Sequence, residues 1–326
     1  MIATRRASCG LLLSELSFGC GAIGGLYRAV TDQDAWDVLD VAWSAGVRYF
    51  DTAPFYGHGR SEQRLGSFLA TKNRDEFVVS TKVGKLLYPV GREEVPDNNF
   101  VDPLPNGIRF DYTRQGIEDS YHSSLSRLGL DRIDILYVHD LEPKTHDEND
   151  YNAHMSDFLS DGINALHTLK GSGEITAFGL GVNQVEPCLD ILRHIPLDII
   201  LLAGRYTLLD RTAEVELLKL CRMHDTDLVI GGVFNSGILA TGARPGALYD
   251  YEPASPQIMA SVAELEEHCR SMGVDLPAAA IQFPLSSPVV KSVLIGTARV
   301  SSFQRNVASM KTKIPDAALQ SIGSCK

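Results

Sequence analysis

Residues 50 to 62 read FDTAPFYGHGRSE. The apolar run VRYF ends there on Asp51, and Tyr56, His58, Arg60, Ser61 and Glu62 follow at once. A chain that needed only a turn and a helix start would have little use for so many titratable and aromatic groups at one strand end. Two later runs finish in the same way: FVVSTK at 77 to 82 stops at Lys82, and IDILYVH at 133 to 139 stops at His139. If all three runs are strands, they deliver a carboxylate, an ammonium and an imidazole to one rim, as parallel barrels do at the C-terminal ends of their strands.

The alternation continues outward from this stretch in both directions. Further strands are expected at 16 to 19, 47 to 51, 175 to 180, 198 to 202, 227 to 231 and 292 to 295. Apolar spacing predicts helices at 33 to 45, 61 to 70, 113 to 129, 156 to 170, 186 to 193, 213 to 223, 256 to 272, 277 to 284 and 301 to 311. Thr31 to Asp34 form a capping-box pattern, Gly46 stops the first helix, and Ser61 with Glu62 opens the second. Strand and helix alternate without a linker or a break in composition. The expectation is a single-domain α/β protein, a (β/α)8 TIM barrel over residues 1 to 326. The long connections 83 to 112 and 232 to 255 each follow a strand and should rise over the C-terminal mouth.

A competing motif sits at residues 19 to 24, where GCGAIG matches G-x-G-x-x-G after a strand and Asp40 stands where a ribose-binding acid would be. In a Rossmann unit the third glycine lies inside the first helical turn, whereas here Gly25 to Val30 intervene before the cap at Thr31. The glycines are therefore read as a close-approach loop at the barrel mouth.

Composition narrows the partners. The chain has 30 Lys and Arg against 41 Asp and Glu, a net charge of -11, which repels nucleic acid and anionic membrane surfaces. No apolar run is long enough to span a bilayer. Six cysteines, Cys9, Cys20, Cys188, Cys221, Cys269 and Cys325, form no C-x-x-C pair, and no His or Cys spacing suggests a metal. The expectation is a soluble, cytoplasmic, metal-free protein acting on a small molecule; no coiled-coil pattern speaks to its oligomeric state.

Singly, Asp51 reads as a turn residue, Lys82 as an edge lysine and His139 as a core histidine. Jointly they make a chemistry. A tyrosine titrates near pH 10 and is a poor base, but a buried ammonium beside it favours phenolate. Lys82 is placed to supply the ammonium, Asp51 to keep it charged, and His139 to orient a reacting oxygen.

These segments resemble the aldo-keto reductase family, NAD(P)-dependent oxidoreductases on a (β/α)8 barrel. FDTAPFYG with GRSEQRLG, then STKVG, then LYVHD are similar to that family's signature. The resemblance implies a catalytic tetrad of Asp51, Tyr56, Lys82 and His139, with Tyr56 and His139 also touching substrate beside Phe55 and Tyr27. It implies cofactor contacts from Gly21, Ala22 and Asp51, and from Asn183 with Gln184 at the nicotinamide carboxamide. Val233, Phe234, Asn235, Ser236 and Gly237 would strap the pyrophosphate. Gly296, Thr297, Ala298, Arg299, Ser302, Gln304, Arg305 and Asn306 would meet the adenosine end.

The chain departs from the family where a glutamine is replaced by Ala203 and a stacking aromatic by Gly231 or Gly232. Phosphate-clamping cations are replaced by Gly296 and Ser302, which favours NAD over NADP. GGVFNSGILA, GLGVN and AGRYTLLD look most like the branch of aldose and pyridoxal dehydrogenases that oxidise a hemiacetal hydroxyl to a lactone. An NADPH-dependent aldehyde or ketone reductase, and a non-catalytic cofactor-sensing subunit, are the alternatives.

Overall fold

The computed structural model describes residues 2–324. Cys325, counted above, lies outside the described residues with Met1 and Lys326. Cys9, Cys20, Cys188 and Cys221 carry free thiols. Eight parallel strands close into a barrel in chain order: β1 Leu16–Gly19, β2 Tyr49–Asp51, β3 Val78–Val83, β4 Ile135–His139, β5 Ala177–Val182, β6 Ile199–Ala203, β7 Asp227–Gly231 and β8 Val290–Ile295. A closed barrel excludes the Rossmann reading of GCGAIG. Gly24 is instead a contact glycine: a Cβ there would lie 2.8 Å from the backbone of Tyr56. Asp40, the would-be ribose acid, is exposed on the first helix.

Side chains alternate along a strand, so every second residue enters the barrel. Tyr49, Val78, Ile135, Tyr137, Ala177, Ile199, Leu201, Val229 and Leu294 form one inner cluster, and Leu13 of an N-terminal hairpin (Thr4–Arg6 with Leu12–Ser14) joins it from below. Within that interior, the Tyr49 hydroxyl lies 3.0 Å from Ser80 Oγ and 2.9 Å from the Tyr137 hydroxyl, a small hydrogen-bonded layer. The residues two further along each strand, Asp51, Lys82 and His139, stand on top of it, at the mouth.

Helices cover the outer faces. The helix α1, Asp32–Ala45, begins at the expected capping box of Thr31 and Asp34 and ends at Gly46 in a left-handed turn, φ 103°. The next, α2 (Arg60–Leu69), departs from expectation. Ser61 and Glu62 do not cap it; both are fully buried. Ser61 Oγ donates to the Cys20 carbonyl at 2.8 Å, and Glu62 accepts from Thr81 Oγ1 at 2.7 Å and from Arg127 Nε at 2.5 Å. This carboxylate pins the helix to the strand that carries Lys82, fixing the loop that carries Tyr56.

Other differences have simple causes. The end of β5 lies two residues later than expected, because Gly179 and Gly181 disguised its inward face. The 83 to 112 connection is no irregular loop but contains a hairpin, Lys85–Pro89 with Asn106–Phe110. The 232 to 255 connection contains a helical turn at Ile238–Thr241 and a miniature hairpin, Leu248–Tyr249 with Glu252–Pro253. The helix expected at 156 to 170 starts earlier, as Glu148–Asp157, and passes through a π turn at Phe158–Gly162 into Ile163–Gly171. A last helix, Asp316–Ser324, went unforeseen.

Gly179 has a measurable consequence. A Cβ there would sit 1.7 Å from the Ile199 carbonyl oxygen of the neighbouring strand, whereas one at Gly171, at a helix end, meets nothing within 4 Å. Gly179→Ala should cost about 3 kcal/mol, the upper end of overpacking effects. Gly171→Ala should be neutral or stabilising by up to about 1 kcal/mol. Urea unfolding of both variants checks the contrast.

Candidate active site

The strand ends converge as the alternation requires. Asp51 is in register with Ser80, and Lys82, two residues on, leans back to the same carboxylate. Lys82 Nζ donates to Asp51 Oδ2 at 2.7 Å and to the Thr52 carbonyl at 2.8 Å, while Ser80 Oγ donates to Asp51 Oδ1 at 2.7 Å. Lys82 is 2% exposed and Asp51 1%, so the pair is sealed from water. Burial pulls the Asp51 carboxyl above its ordinary range, while Lys82 and the two hydrogen bonds pull it down.

Tyr56 lies on the turn after β2, its ring centroid 4.7 Å from Lys82 Nζ and 6.0 Å from the His139 ring, perpendicular to it. The sequence reading expected Lys82 to depress this phenol. Its pKa instead stands well above the ordinary value: burial raises it most, followed by the negative charges of Asp51 and Asp140. The Lys82 ammonium, paired with Asp51 at 2.7 Å, does not outweigh that burial. Tyr56 is thus a firm phenol, with a cation in reserve. His139 is held neutral, mainly by burial. Its Nδ1 is buried without a partner, and its backbone carbonyl accepts from Tyr112 at 2.8 Å.

A cleft of about 620 Å³ opens over these groups, lined by Asp51, Phe55, Tyr56, Lys82 and His139. Gly181, paired with His139, and Ala203, Gly231 and Gly296 line the same cleft, together with Val182, Asn183, Leu201 and Leu294 and with Tyr27 and Tyr251. A second chamber of about 470 Å³ adjoins it, sharing Ala22, Tyr27, Gly232, Tyr251 and Gly296, and runs along Val233 to Gly237 and Thr297 to Arg299. Together they make an elongated groove with a flat, glycine-rich floor, and the buried Oδ1 of Asn235 has no partner beside it. The shape and the unpartnered acceptor fit a dinucleotide.

The expected contacts divide accordingly. Gly21, Ala22, Asp51, Asn183, Gly296 and the two segments just named line the groove. Gln184 does not: its side chain accepts from the Lys144 backbone at 2.6 Å and faces a separate cavity. Ser302, Gln304, Arg305 and Asn306 lie on the helix Val300–Lys311 and line neither chamber; Arg305 donates to Ser302 Oγ at 3.0 Å.

Sequence reading missed a charged network at the end of β4. Lys85 Nζ lies 2.5 Å from Asp140, and Asn183 donates to Glu142 at 2.7 Å and to Asp140 at 3.2 Å. Burial opposes ionisation of Asp140, yet the positive charge of Lys85 beside it and the hydrogen bond from that ammonium hold the carboxyl down at about 2. Arg205 donates to the Asn183 carbonyl at 2.7 Å and to Asp250 at 2.7 Å. The adjacency of His139 and Asp140 was the one visible signal; the partners Lys85, Asn183, Arg205 and Asp250 come from distant parts of the chain.

A family model described as the aldo/keto reductase family matches residues 15–326. A D-threo-aldose 1-dehydrogenase from a Pseudomonas species is 42% identical over 315 residues, covering 95% of this chain and 93% of the relative. A pyridoxal 4-dehydrogenase from Microbacterium luteolum is 41% identical over 317 residues, covering 94% and 92%. The holo form of an aldo-keto reductase from Bacillus halodurans has the same fold, with a TM-score of 0.77 at 23% identity over 100% of this chain and 98% of that one.

Lys82→Met tests the buried pair. Without the ammonium, the folded state favours protonated Asp51 still more strongly, while the unfolded carboxyl ionises near pH 4. The native state then binds more protons than the unfolded one, so stability should fall as pH rises, by up to about 1.4 kcal/mol per unit. The fall continues until the folded pKa is passed. Urea midpoints from pH 5 to 8 should decline more steeply in the variant than in the parent.

Proposed function

The chain belongs to the aldo/keto reductase family, oxidoreductases that work with nicotinamide cofactors, and on that premise we propose that it oxidises a cyclic hemiacetal to its lactone with NAD. An aldose such as L-fucose, L-galactose or D-arabinose is the favoured substrate class, with pyridoxal beside it. The observation that carries this reading is the Lys82–Asp51 pair beside Tyr56, in a groove that Gly181, Ala203, Gly231, Gly232 and Gly296 help to line. Relatives that act on an aldose and on pyridoxal, each more than 40% identical, support the substrate class.

A nicotinamide held in this groove would supply the hydride acceptor. The residues do the rest. Gly181, Ala203 and Gly231 leave room for a flat ring against the strand ends, and Tyr27 or Tyr251 supplies the aromatic surface that Gly231 and Gly232 lack. The amide nitrogen of Asn183 is engaged by Glu142 and Asp140, which leaves its oxygen to accept from a carboxamide. Tyr56 exchanges the proton of the reacting hydroxyl, Lys82 stabilises the phenolate formed when Tyr56 gives its proton up, and Asp51 keeps Lys82 charged. The neutral His139, with one ring nitrogen unpartnered, positions the reacting oxygen.

NAD is favoured over NADP because Gly296 and Ser302 offer no cation to a 2′-phosphate. Two cations line the outer chamber, Arg299 and Arg28, the latter donating to the Ala298 carbonyl at 2.7 Å, and Arg305 is turned to Ser302. The second reading, an NADPH-linked carbonyl reductase, has one observation in its favour: Tyr56 rests as a phenol, the form that donates a proton.

The experiment is a screen of NAD and NADP reduction against L-fucose, L-galactose, D-arabinose and pyridoxal, with dissociation constants for both cofactors. NAD should bind at least tenfold tighter and support turnover; NADP preference with no sugar oxidation would favour the reductase. Because Tyr56 must lose a strongly held proton to act as base, oxidation should rise with pH above 7, by up to about tenfold per unit, and carbonyl reduction should fall. Tyr56→Phe should lower kcat by about 10²- to 10⁴-fold with NAD affinity little changed, and should abolish that pH dependence.

A further inference from the structure

The connection between the strands of the 85–110 hairpin turns back into the cleft at Asn98, Asn99 and Phe100. Behind it sits His58, fully buried and in a left-handed backbone conformation, φ 56°. Its Nδ1 lies 2.5 Å from the Asn106 carbonyl oxygen, and Asn106 Nδ2 returns a bond to the His58 carbonyl at 2.9 Å. A carbonyl oxygen can only accept, so Nδ1 carries the proton, and the tautomer protonated there leaves Nε2 with a lone pair. That lone pair faces Asn98 Nδ2 at 2.7 Å. An amide nitrogen can only donate, so the orientation of the Asn98 side chain is set by the histidine behind it.

The consequence falls on the other end of the amide. Asn98 Oδ1 is buried and has no hydrogen-bond partner, while the residue lines the same cleft as Tyr56 and His139. Buried acceptors are ordinarily paired, and one held unpaired by a dedicated second residue in a ligand cleft calls for a donor from the ligand. The segment is also anchored. The Phe100 ring lies 5.4 Å from Phe55, edge to face, and 6.2 Å from Tyr56. Tyr27 N donates to the Asn99 carbonyl at 2.8 Å, and Val101 N to Gly25 at 2.9 Å.

We propose that Asn98 is a specificity-determining residue, whose carbonyl accepts a hydrogen bond from a ring hydroxyl other than the one oxidised at Tyr56, with His58 as its positioning residue. This rests on the aldose reading above and deepens it. An aldose ring carries several hydroxyl donors around its rim, whereas a simple alkyl or aryl aldehyde carries none. A site that pairs with a substrate hydroxyl discriminates strongly against an analogue lacking it, because the protein acceptor is then left buried and alone.

The test uses the full chain with NAD and the aldose it oxidises fastest, together with the monodeoxy analogues of that sugar. In the parent, one analogue should lose about 10- to 100-fold in kcat/KM relative to the full sugar. Asn98→Ala should lower kcat/KM for the full sugar by a similar factor and treat that analogue and the full sugar alike. Its NAD affinity and melting temperature, read in parallel, should match the parent and show that fold and cofactor site are intact. A variant that keeps the parent's kcat/KM and its discrimination overturns the role of Asn98 alone. A parent enzyme that oxidises no aldose overturns the substrate reading, and this inference falls with it.

Discussion

Two opposite charges, almost wholly removed from water and 2.7 Å apart, organise this molecule. Neither Lys82 nor Asp51 could be buried ionised alone, and their attraction offsets the loss of hydration only because Ser80 and the Thr52 carbonyl satisfy their remaining bonds. That geometry requires adjacent parallel strands in a particular stagger, with Asp51 opposite Ser80 and the lysine two residues on. The barrel supplies the stagger, and Glu62, clamped between Thr81 and Arg127, holds the following helix against it. The site also shows a property of Tyr56 that motif reading had reversed. Burial, with the negative charges of Asp51 and Asp140, outweighs the nearby ammonium, so the site holds its proton firmly.

The mouth is divided between chemistry and space. On β2, β3 and β4 the topmost inward positions carry Asp51, Lys82 and His139; on β5, β6 and β7 they carry Gly181, Ala203 and Gly231. These are equivalent positions on successive strands, and the change from functional to minimal side chains opens one half of the barrel to a flat ligand. Departures at Ala203 and Gly231 that looked like losses of cofactor contact are, in three dimensions, the floor of the groove. Tyr27 and Tyr251, both in left-handed backbone conformations at the rim, bring aromatic surface back from a different direction.

The loops complete the cleft above this shared base. The hairpin after β3 brings Asn98 and Phe100 over Tyr56, and the connection after β7 brings Tyr251, tied through Asp250 to Arg205 and Lys144. Both connections are structured by their own short strands, so they present defined groups to the cleft.

Much was legible in the sequence because it depends on local patterns. Short apolar or β-branched runs announced the eight strands, helix caps at Thr31 and Gly46 marked α1, and the polar residues ending FVVSTK and IDILYVH marked one rim of a site. Strand ends blurred where glycines hid the inward face, as in β5, and Ser61 and Glu62 looked like a helix start because a cap and a buried clamp use the same residue types. What the tertiary structure alone decided were the relations between distant residues: that burial outweighs Lys82 at Tyr56, that Lys85 and Asn183 meet at Asp140, and that Gln184 turns away while Asn98 turns in. Those outcomes depend on burial and on distances between segments far apart in the chain. Local periodicity carries no record of either.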